Sequence, residues 1–434
     1  MSDNFIEEPV ILDRTGLRMA AAVEAVARAL GGRSGVIYGF HINGGDSNPA
    51  TNVVYLKDAA GMAPAKMDYA NDVFDYGSWR DAFFMPRPCM VKYNGEVDYY
   101  LDPDDYSKKE DGTASDVANA SYGGNAMMEW GRNGRQIWYK VVPDTDNKSG
   151  SVYIADYPAD DDFHCWSFIN SNGVVCQHFY TPIYNGSIVS SKLRSISGKA
   201  YSDLCQNKTA SQEIDLATAN NVGSDVLWFT ECYADIELIN YLLILIGKST
   251  NMQATFGNGR YGQSSAASSM LSTGTMDDKG LFWGDDDATH GVKVFGMENW
   301  WGNQWRRYAG HIMIDGSQKV KRTYGRQDGS TADGYNTSGS GYLSAGASPG
   351  GTSGGYIDKM EFSALGMLPK NASGSSSTYY CDGLWFNNSG TRYALRGGIC
   401  IDDLKVGALY CVLSDEPSSA SWIVGASVSC KPLA

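Results

Sequence analysis

Three stretches of the chain carry carboxylates at the density that a cation site needs. They are Asp102, Asp104 and Asp105, residues 160–162 and residues 285–287. Calcium requires oxygen ligands at graded spacing around a turn and a bidentate acid that closes the site. None of the three stretches has the EF-hand spacing, so we interpret these acids as solvated loop charge. We predict no metal ligand and no cofactor, and a structural cation such as calcium stays the open alternative.

No motif of the common hydrolases or zinc enzymes occurs in the sequence in the context that it needs. The five histidines are dispersed and form neither an H-x-x-x-H nor an H-E-x-x-H pair. The G-x-S-x-G matches, at residues 346–350 and 351–355, lie in a Gly/Ser-rich loop and not in the strand–turn–helix context of a nucleophile elbow. The nine cysteines include no C-x-x-C motif, which argues against a disulfide framework and a structural zinc site. These observations give no support to a serine hydrolase or a zinc enzyme.

The segment GMENWWGNQWRRYAG, residues 296–310, places three tryptophans around a glycine and two asparagines. Such indoles form either a platform on which sugars stack or the packed centre of a fold in which a tight turn lets them interdigitate. We favour packing.

In the segment RGGICIDDLKVGALYCVLSDEPSSASWIVGASVSCKP, residues 396–432, two sets of residues alternate as the two faces of an extended chain do. The set predicted to point outward is Ile399, Ile401, Val412, Ser414, Ser419, Ser421 and Ile423. The set predicted to point inward is Cys400, Cys411, Leu413, Ala420 and Trp422. The outward set includes four large aliphatic side chains, and an exposed apolar patch usually marks a contact surface.

This segment resembles the variable region of proteins diversified by diversity-generating retroelements. In that family it reads approximately R-G-G-N-x-N-N and then G-A-x-Y-x-N-L-N-N-x-P-S-N-x-N-W-N-x-G-A-S. The matching residues of this chain, which we call the frame residues, are Arg396, Gly397, Gly398, Gly407, Ala408, Tyr410, Leu413, Pro417, Ser418, Trp422, Gly425, Ala426 and Ser427.

Nine other positions stand where the family template has asparagine. They are Ile399, Ile401, Asp402, Val412, Ser414, Asp415, Ser419, Ser421 and Ile423. The retroelement substitutes at adenines, the asparagine codon begins with two adenines, and changes at those two bases reach Ile, Val, Ser and Asp. The resemblance therefore implies that residues 381–430 are a variable region and that these nine side chains bind the ligand. Four neighbouring aromatic residues are expected to add contact area: Tyr379, Trp385, Phe386 and Tyr393.

The resemblance implies an α+β fold class, namely a C-type-lectin-like fold close to that of the formylglycine-generating enzymes, with many short strands, long loops and two main helices. The segments E-N-W-W-G-N-Q-W and A-L-R-G-G look like core segments of that group. Cys400, Cys411 and Cys430 lack the C-x-x-x-x-C spacing of those oxidases, and the motifs of calcium-dependent lectins are only approximated. Neither oxidase activity nor calcium-bridged sugar binding is carried over.

The elements that must position these residues are short. Strands are predicted in the runs GVIYGFHI, TNVVYL, RQIWYKVV, GSVYIADY, GLFWG, VKVFGM and GHIMI. Helices are predicted at residues 209–220 and 233–248, the second buried nearly all round. Residues 326–355 are Gly/Ser-rich and predict a loop. Residues 12–30 predict an amphipathic helix, which either lies on its own domain or forms a trimer seam or docking element. We expect residues 1–34 to attach or trimerise a domain of residues 35–434.

Charge excludes two classes of partner. The 434 residues carry a net charge of −14, whereas a nucleic-acid backbone or an anionic membrane surface requires clustered Lys and Arg. The acidic start of the chain and its short apolar runs predict neither an export signal nor membrane insertion.

The chain as a whole is similar to tail-associated proteins of gut phages and prophages. That resemblance implies a phage receptor-binding, adhesion protein for recognition of the host-cell surface, which is a binding protein and not an enzyme. It is expected to be made in the bacterial cytoplasm and located in the tail of the virion. Its expected partners are a bacterial surface receptor, protein or glycan, and tail or baseplate proteins that hold the N-terminus. A homo-oligomer, with a trimer favoured, is expected. The alternatives are a bacterial surface-displayed diversified binding protein and a formylglycine-generating-type oxidase.

Overall fold

The structure, a computed structural model, describes residues 35–325 and 334–433. This part of the chain is mostly β, with 34% strand and 10% helix. Its α-helices are α1 (Ala210–Thr218), α2 (Tyr233–Gly247) and α3 (Met252–Phe256). The prediction of an α+β, C-type-lectin-like or formylglycine-generating-enzyme-like fold with two main helices is therefore wrong. That prediction rested mainly on the last fifty residues, which carry no information on the many strands before them.

The helices form where capping and apolar content favour them. Thr209 caps α1: its hydroxyl accepts a hydrogen bond from the Gln212 amide, and the Gln212 side chain accepts one from the Thr209 amide. Every residue of α2 up to Ile246 is buried, as its all-round apolar sequence predicts. The short α3 was not predicted, and Asn251 caps it.

The strands are short and numerous. In chain order, the first nine are β1 (Ile37–Ile42), β2 (Val53–Lys57), β3 (Lys66–Asp68), β4 (Val73–Asp75), β5 (Arg87–Lys92), β6 (Val97–Tyr100), β7 (Gly124–Trp130), β8 (Trp138–Pro143) and β9 (Gly150–Ala155). The next six are β10 (Phe179–Pro182), β11 (Ser187–Val189), β12 (Lys192–Arg194), β13 (Trp228–Thr230), β14 (Lys293–Val294) and β15 (Met297–Glu298). The remainder are β16 (Trp305–Ile314), β17 (Ser317–Val320), β18 (Leu343–Ser344), β19 (Gly350–Gly351), β20 (Gly355–Ser363), β21 (Gly366–Gly374), β22 (Gly383–Phe386), β23 (Thr391–Gly397), β24 (Gly407–Leu413), β25 (Val424–Gly425) and β26 (Val428–Cys430).

Three sheets organise the described part of the chain. A four-stranded sheet has the order β2-β1-β9-β8, and a six-stranded sheet has the order β13-β26-β10-β7-β5-β6. The largest sheet has ten strands in the order β18-β17-β16-β23-β24-β22-β20-β21-β19, with β25 pairing in parallel with β16. Three two-stranded ribbons, β3-β4, β11-β12 and β14-β15, complete the pairing.

Most of the predicted strands are present. The runs YGFHI, VVYL, WYKVV, SVYIA and HIMI lie in β1, β2, β8, β9 and β16, and the run VKVFGM forms the ribbon β14-β15. The run GLFWG is not a strand, because Trp283 makes only an isolated bridge to Lys293. The described end of the Gly/Ser-rich segment, from residue 334, contains the short strands β18 and β19.

The tryptophans of residues 296–310 lie in the interior, as predicted. Trp300 and Trp301 are buried completely or nearly so, and Trp305 is 5% exposed. The Trp300 indole donates to the Asn240 side chain on α2, and the Trp301 indole donates to the Gly257 carbonyl oxygen. This segment therefore fastens α2 and α3 to the start of β16.

In the described part of the chain, no helix is long and apolar enough to cross a membrane. The predicted helix of residues 12–30, and with it the attachment or trimerisation element of residues 1–34, lies outside the described residues.

Candidate ligand-binding surface

The variable region, residues 381–430, contains β22 to β26, and the nine predicted ligand-binding positions lie on or between three of these strands. Ile399, Ile401 and Asp402 follow β23, and Val412 is in β24. The other five positions lie in the connection between β24 and β25. Because β24 lies between β23 and β22, both connections emerge from the middle of the ten-stranded sheet.

The four aliphatic positions meet in one cluster. Ile399 and Val412 are buried, at 1% and 3% exposure, with Trp305 and Tyr410, whose rings are 4.5 Å apart in an edge-to-face arrangement. Ile401 and Ile423 are half-buried and cover the same cluster. The prediction that all four point outward is therefore wrong for Ile399 and Val412. Val412 belongs to the central strand β24, all seven residues of which are buried, and Ile399, which follows β23, packs into the same cluster.

The five of the nine positions that carry polar side chains are all half-buried. They are Asp402, Ser414, Asp415, Ser419 and Ser421. Together with Ile401 and Ile423 they make seven half-buried positions, which we call the variable surface. Of the set predicted to point inward, Cys400, Cys411 and Leu413 are buried, Trp422 is half-buried, and Ala420 is exposed.

Groups outside the nine positions hold the backbone of the variable surface after β24. The Arg392 guanidinium donates to the Ser414 carbonyl oxygen (3.2 Å), and the Tyr393 amide donates to that of Asp415 (2.9 Å). The Arg307 guanidinium donates to the Ser419 carbonyl oxygen (2.8 Å). Each of these bonds is made to the main chain, so it does not depend on which side chain the position carries.

Arg307 is itself fixed by a buried ion pair. Its second terminal nitrogen donates to the Glu213 carboxylate on α1 at 2.7 Å, and both side chains are almost fully buried. Burial raises the pKa of Glu213 to about 7, although the Arg307 charge opposes the rise. The amide of Ala210, at the start of the same helix, donates to the Pro417 carbonyl oxygen at 2.9 Å. Helix α1 thus supports the connection between β24 and β25.

The remaining backbone supports come from neighbouring loops. The Asn207 amide donates to the Ser421 carbonyl oxygen (2.9 Å), and the Trp305 amide donates to that of Ile423 (3.1 Å). The Gly262 amide donates to the Asp402 carbonyl oxygen at 2.7 Å. By contrast, the side-chain hydrogen bonds of Ser419 and Ser421 stay within the loop, since their hydroxyls accept from the Glu416 and Ile423 amides.

Ten of the thirteen frame residues are buried, and their types follow from the packing around them. Gly397 and Gly398 have φ values of +87° and +93°, which turn the chain out of β23 and which residues with a Cβ rarely adopt. A Cβ on Gly407 would lie 2.0 Å from a carboxylate oxygen of the buried Asp382. The Asp382 carboxylate accepts from the Leu409 amide, and burial raises its pKa to about 8.

Arg396 is the centre of a buried charge cluster. It donates to Glu231 (2.6 Å) and to the Trp300 carbonyl oxygen (2.9 Å), and its guanidinium lies 3.6 Å from the centre of the Trp300 ring. Arg306 is 3.6 Å from the same glutamate. Burial, with the Arg396 charge second, lowers the pKa of Arg306 to about 9. The cluster joins β23 to the tryptophan segment.

The four neighbouring aromatic residues differ in exposure. Trp385 is 40% exposed, and Tyr379 and Phe386 are half-buried. Tyr393 is buried with Ala210, Ile312 and Tyr342, so it supports the surface from below and does not lie on it.

The Asp402 carboxylate, on the variable surface, has a pKa above its ordinary value. Burial raises its pKa to about 6, and the nearby Lys405 charge and the Tyr410 hydroxyl oppose the rise. One carboxylate oxygen is enclosed and has no hydrogen-bond partner among the described atoms.

The residues that hold the variable surface were not found by sequence reasoning. Arg307, Arg392 and Gly262 are not among the frame residues or the nine predicted positions, and their role depends on contacts that no local pattern reveals. A weak signal existed for Arg307, because two adjacent arginines beside three tryptophans are unusual in a chain with only 19% charged residues.

Outside this surface, Asp285, Asp287 and His290 bring one ligand atom each to within 4.8 Å of the others. His290 Nδ1 is 2.9 Å from Asp287 and 3.4 Å from Asp285. Hydrogen bonds from Thr289 and His290 hold the pKa of Asp287 at about 2. Hydrogen bonds within the loop, from Thr289 and His290 to Asp287, account for this grouping. Among the described residues it is the nearest approach to the structural cation that the sequence left open.

No protein-family model matches the chain, and no curated protein is similar to it.

Proposed function

We propose that this chain is a receptor-binding protein whose ligand surface is diversified at adenines by a retroelement. One observation carries the proposal: Arg392, Arg307 and neighbouring amides hold the backbone of the variable surface, while the side-chain hydrogen bonds of Ser419 and Ser421 stay within their own loop. Such an arrangement lets side chains change while the loops keep their course. Antibody combining sites separate a fixed scaffold from variable contacts in the same way.

The setting that we propose for this binding is the tail of a phage, with the N-terminal residues held by tail or baseplate proteins and several copies on each particle. Seven half-buried side chains are fewer than the roughly 20–30 residues a side of a standard interface. A single surface of this size is therefore expected to bind modestly, and a homotrimer or a larger array would raise the effective affinity by about 10²–10⁴ through avidity. The ligand is a receptor on the surface of the bacterial host.

The oxidase alternative gains no support from the thiols. All nine cysteines are buried and free, and burial raises the pKa of Cys400 to about 11 and that of Cys411 to about 12. A nucleophilic or metal-binding cysteine requires the thiolate, and these environments disfavour it at neutral pH. No observation on the chain favours display on a bacterial cell over display on a virion, and the neighbouring genes distinguish the two.

Adsorption to bacteria tests the binding function. We expect the fluorescently labelled full chain to adsorb to some strains of a panel, and a variant with alanine at all seven positions of the variable surface to lose that adsorption. The matched control replaces three exposed valines elsewhere, Val54, Val73 and Val142, by alanine, and it should adsorb like the original chain. Adsorption that survives all seven replacements would reject the proposal.

Flanking DNA tests the diversification independently. The proposal expects a near-copy of the DNA that encodes the variable region, mismatched only at adenines, beside a reverse-transcriptase gene. Flanks with no such copy would reject the retroelement and leave only a binding surface.

A further inference from the structure

Trp385 is the most exposed tryptophan in the described part of the chain, at 40%, yet its indole is held in one orientation. Its Nε1 donates to the Tyr410 hydroxyl at 2.8 Å. One part of the ring lies against Gly354, where an added Cβ would be 2.7 Å from the indole. An exposed aromatic ring that is fixed in this way loses little conformational entropy when it binds a ligand.

Charged and polar groups border this ring. The Lys405 amine lies 6.0 Å from the centre of the Trp385 ring and 5.8 Å from that of Tyr356. The amine donates to the Gly354 carbonyl oxygen (2.9 Å) and is 3.3 Å from the Asp403 carboxylate, which is exposed. The platform, defined as Trp385, Tyr356, Lys405 and Asp403, therefore combines an apolar ring face with hydrogen-bond donors and acceptors at its edge.

We infer that this platform binds a sugar residue of a bacterial surface polysaccharide. This inference rests on the proposed function, because it names the ligand class of the same surface. A pyranose ring presents C–H groups on one face and hydroxyl groups around its rim, so it matches an aromatic face bordered by a carboxylate and an amine. A protein ligand fits less well, since charged residues are depleted at the centre of protein–protein interfaces.

The platform is continuous with the variable surface through Tyr410. That hydroxyl accepts from the Trp385 indole, so its own proton is free to interact with the Asp402 carboxylate. In the parallel pairing of β22 with β24, Trp385 lies opposite Val412. Diversification at position 402 therefore changes the hydrogen bonding of the residue that orients the indole, and Trp385 itself lies outside the nine positions.

Binding to an array of purified bacterial surface polysaccharides tests the inference. We expect the full chain to bind a subset of the array, and Trp385→Ala to bind about 10- to 30-fold more weakly. Trp385→Phe, which keeps a smaller aromatic ring, should lose less affinity than Trp385→Ala. The matched control is Trp283→Ala, because that half-buried indole likewise donates one hydrogen bond to a side chain, Asp72, far from the platform in sequence. Thermal unfolding of each variant confirms that it is folded.

Three outcomes would overturn the glycan inference: no polysaccharide is bound, Trp385→Ala binds as tightly as the original chain, or Trp283→Ala weakens binding as much as Trp385→Ala. The proposed function survives each of them if adsorption to bacteria still depends on the variable surface. Conversely, polysaccharide binding that depends on Trp385 but not on the seven variable positions would support the platform and reject the proposed function.

Discussion

Frame residues and variable-surface residues alternate along the same short segment, but they contribute to the molecule in opposite ways. Arg396 and Gly407 act through side-chain charge, or through the absence of a side chain, in fully buried surroundings. Ser414 and Ser419 act through their carbonyl oxygens, which Arg392 and Arg307 hold. The difference lies in which part of the residue the fold uses: the frame residues contribute through their side chains or their lack of one, whereas Ser414 and Ser419 contribute through main-chain carbonyl groups that any side chain would leave in place.

Ile399 and Val412 do not fit this division. Both are among the nine positions predicted to bind the ligand, yet both are buried beside Trp305 and Tyr410. They therefore pack beneath Ile401 and Ile423 and, being buried, are not available for direct contact with a ligand. This third group offers a second way to alter the surface, by repacking it from below.

The largest effect is expected from Arg396→Ala. It leaves Glu231 with only the 3.6 Å contact to Arg306 and removes the donor to the Trp300 carbonyl oxygen. Loss of one member of a buried charge cluster costs about 3–5 kcal/mol, so we expect a correspondingly lower free energy of unfolding in urea. If the Arg396→Ala protein were as stable as the original chain, the distinction between frame residues and variable-surface residues would be contradicted.

The next largest effect is expected from placing asparagine at the buried position 399. Ile399→Asn removes apolar contacts and buries an amide without an assigned partner, which costs about 2–4 kcal/mol. Ser421→Asn, at a half-buried position of the variable surface, should change stability by less than about 0.5 kcal/mol. Chemical denaturation of the two variants measures the difference. Equal stabilities would mean that the buried and half-buried positions are equivalent.

A smaller loss is expected from Gly407→Ala. The added Cβ would lie 2.0 Å from the Asp382 carboxylate, and overpacking of this kind costs about 1–3 kcal/mol. Gly123→Ala is the control, because nothing lies within 4 Å of its added Cβ and its φ is ordinary. The two melting temperatures should separate, and a tolerated alanine at 407 would show that this frame glycine is not required by packing.

The smallest effect is a gain in stability. Burial raises the pKa of Asp402 to about 6, so the native state binds a proton more readily than the unfolded state, and the contribution of this group to stability falls as pH rises from about 4 to 6. Asp402→Asn removes that penalty. We expect the variant to be more stable by about 1–2 kcal/mol at pH 7 and equal to the original chain near pH 3.5. If the free energies of unfolding of the variant and the original chain differed by the same amount at every pH in this range, the raised pKa of Asp402 would be contradicted.

The sequence predicted local structure better than the assembly of the fold. Strands such as β1 and β9 follow from alternating apolar runs, and the burial of α2 follows from its composition. The fold class was wrong because pairing between distant strands, such as β13 with β26, leaves no local trace. The outward positions were partly wrong for a similar reason: alternation predicts two faces, but not whether a central strand such as β24 has both of them covered.

The most direct test of the division between frame and variable surface is a mutational scan of residues 396–427 in the full chain, scored twice, once for resistance to proteolysis and once for adsorption to bacteria. We predict that substitutions at the ten buried frame residues and at Ile399 and Val412 lower protease resistance. Substitutions at the seven positions of the variable surface should preserve resistance and change adsorption. If frame and variable-surface substitutions gave the same pattern in both scores, the central claim that one segment separates the fold from recognition would be contradicted.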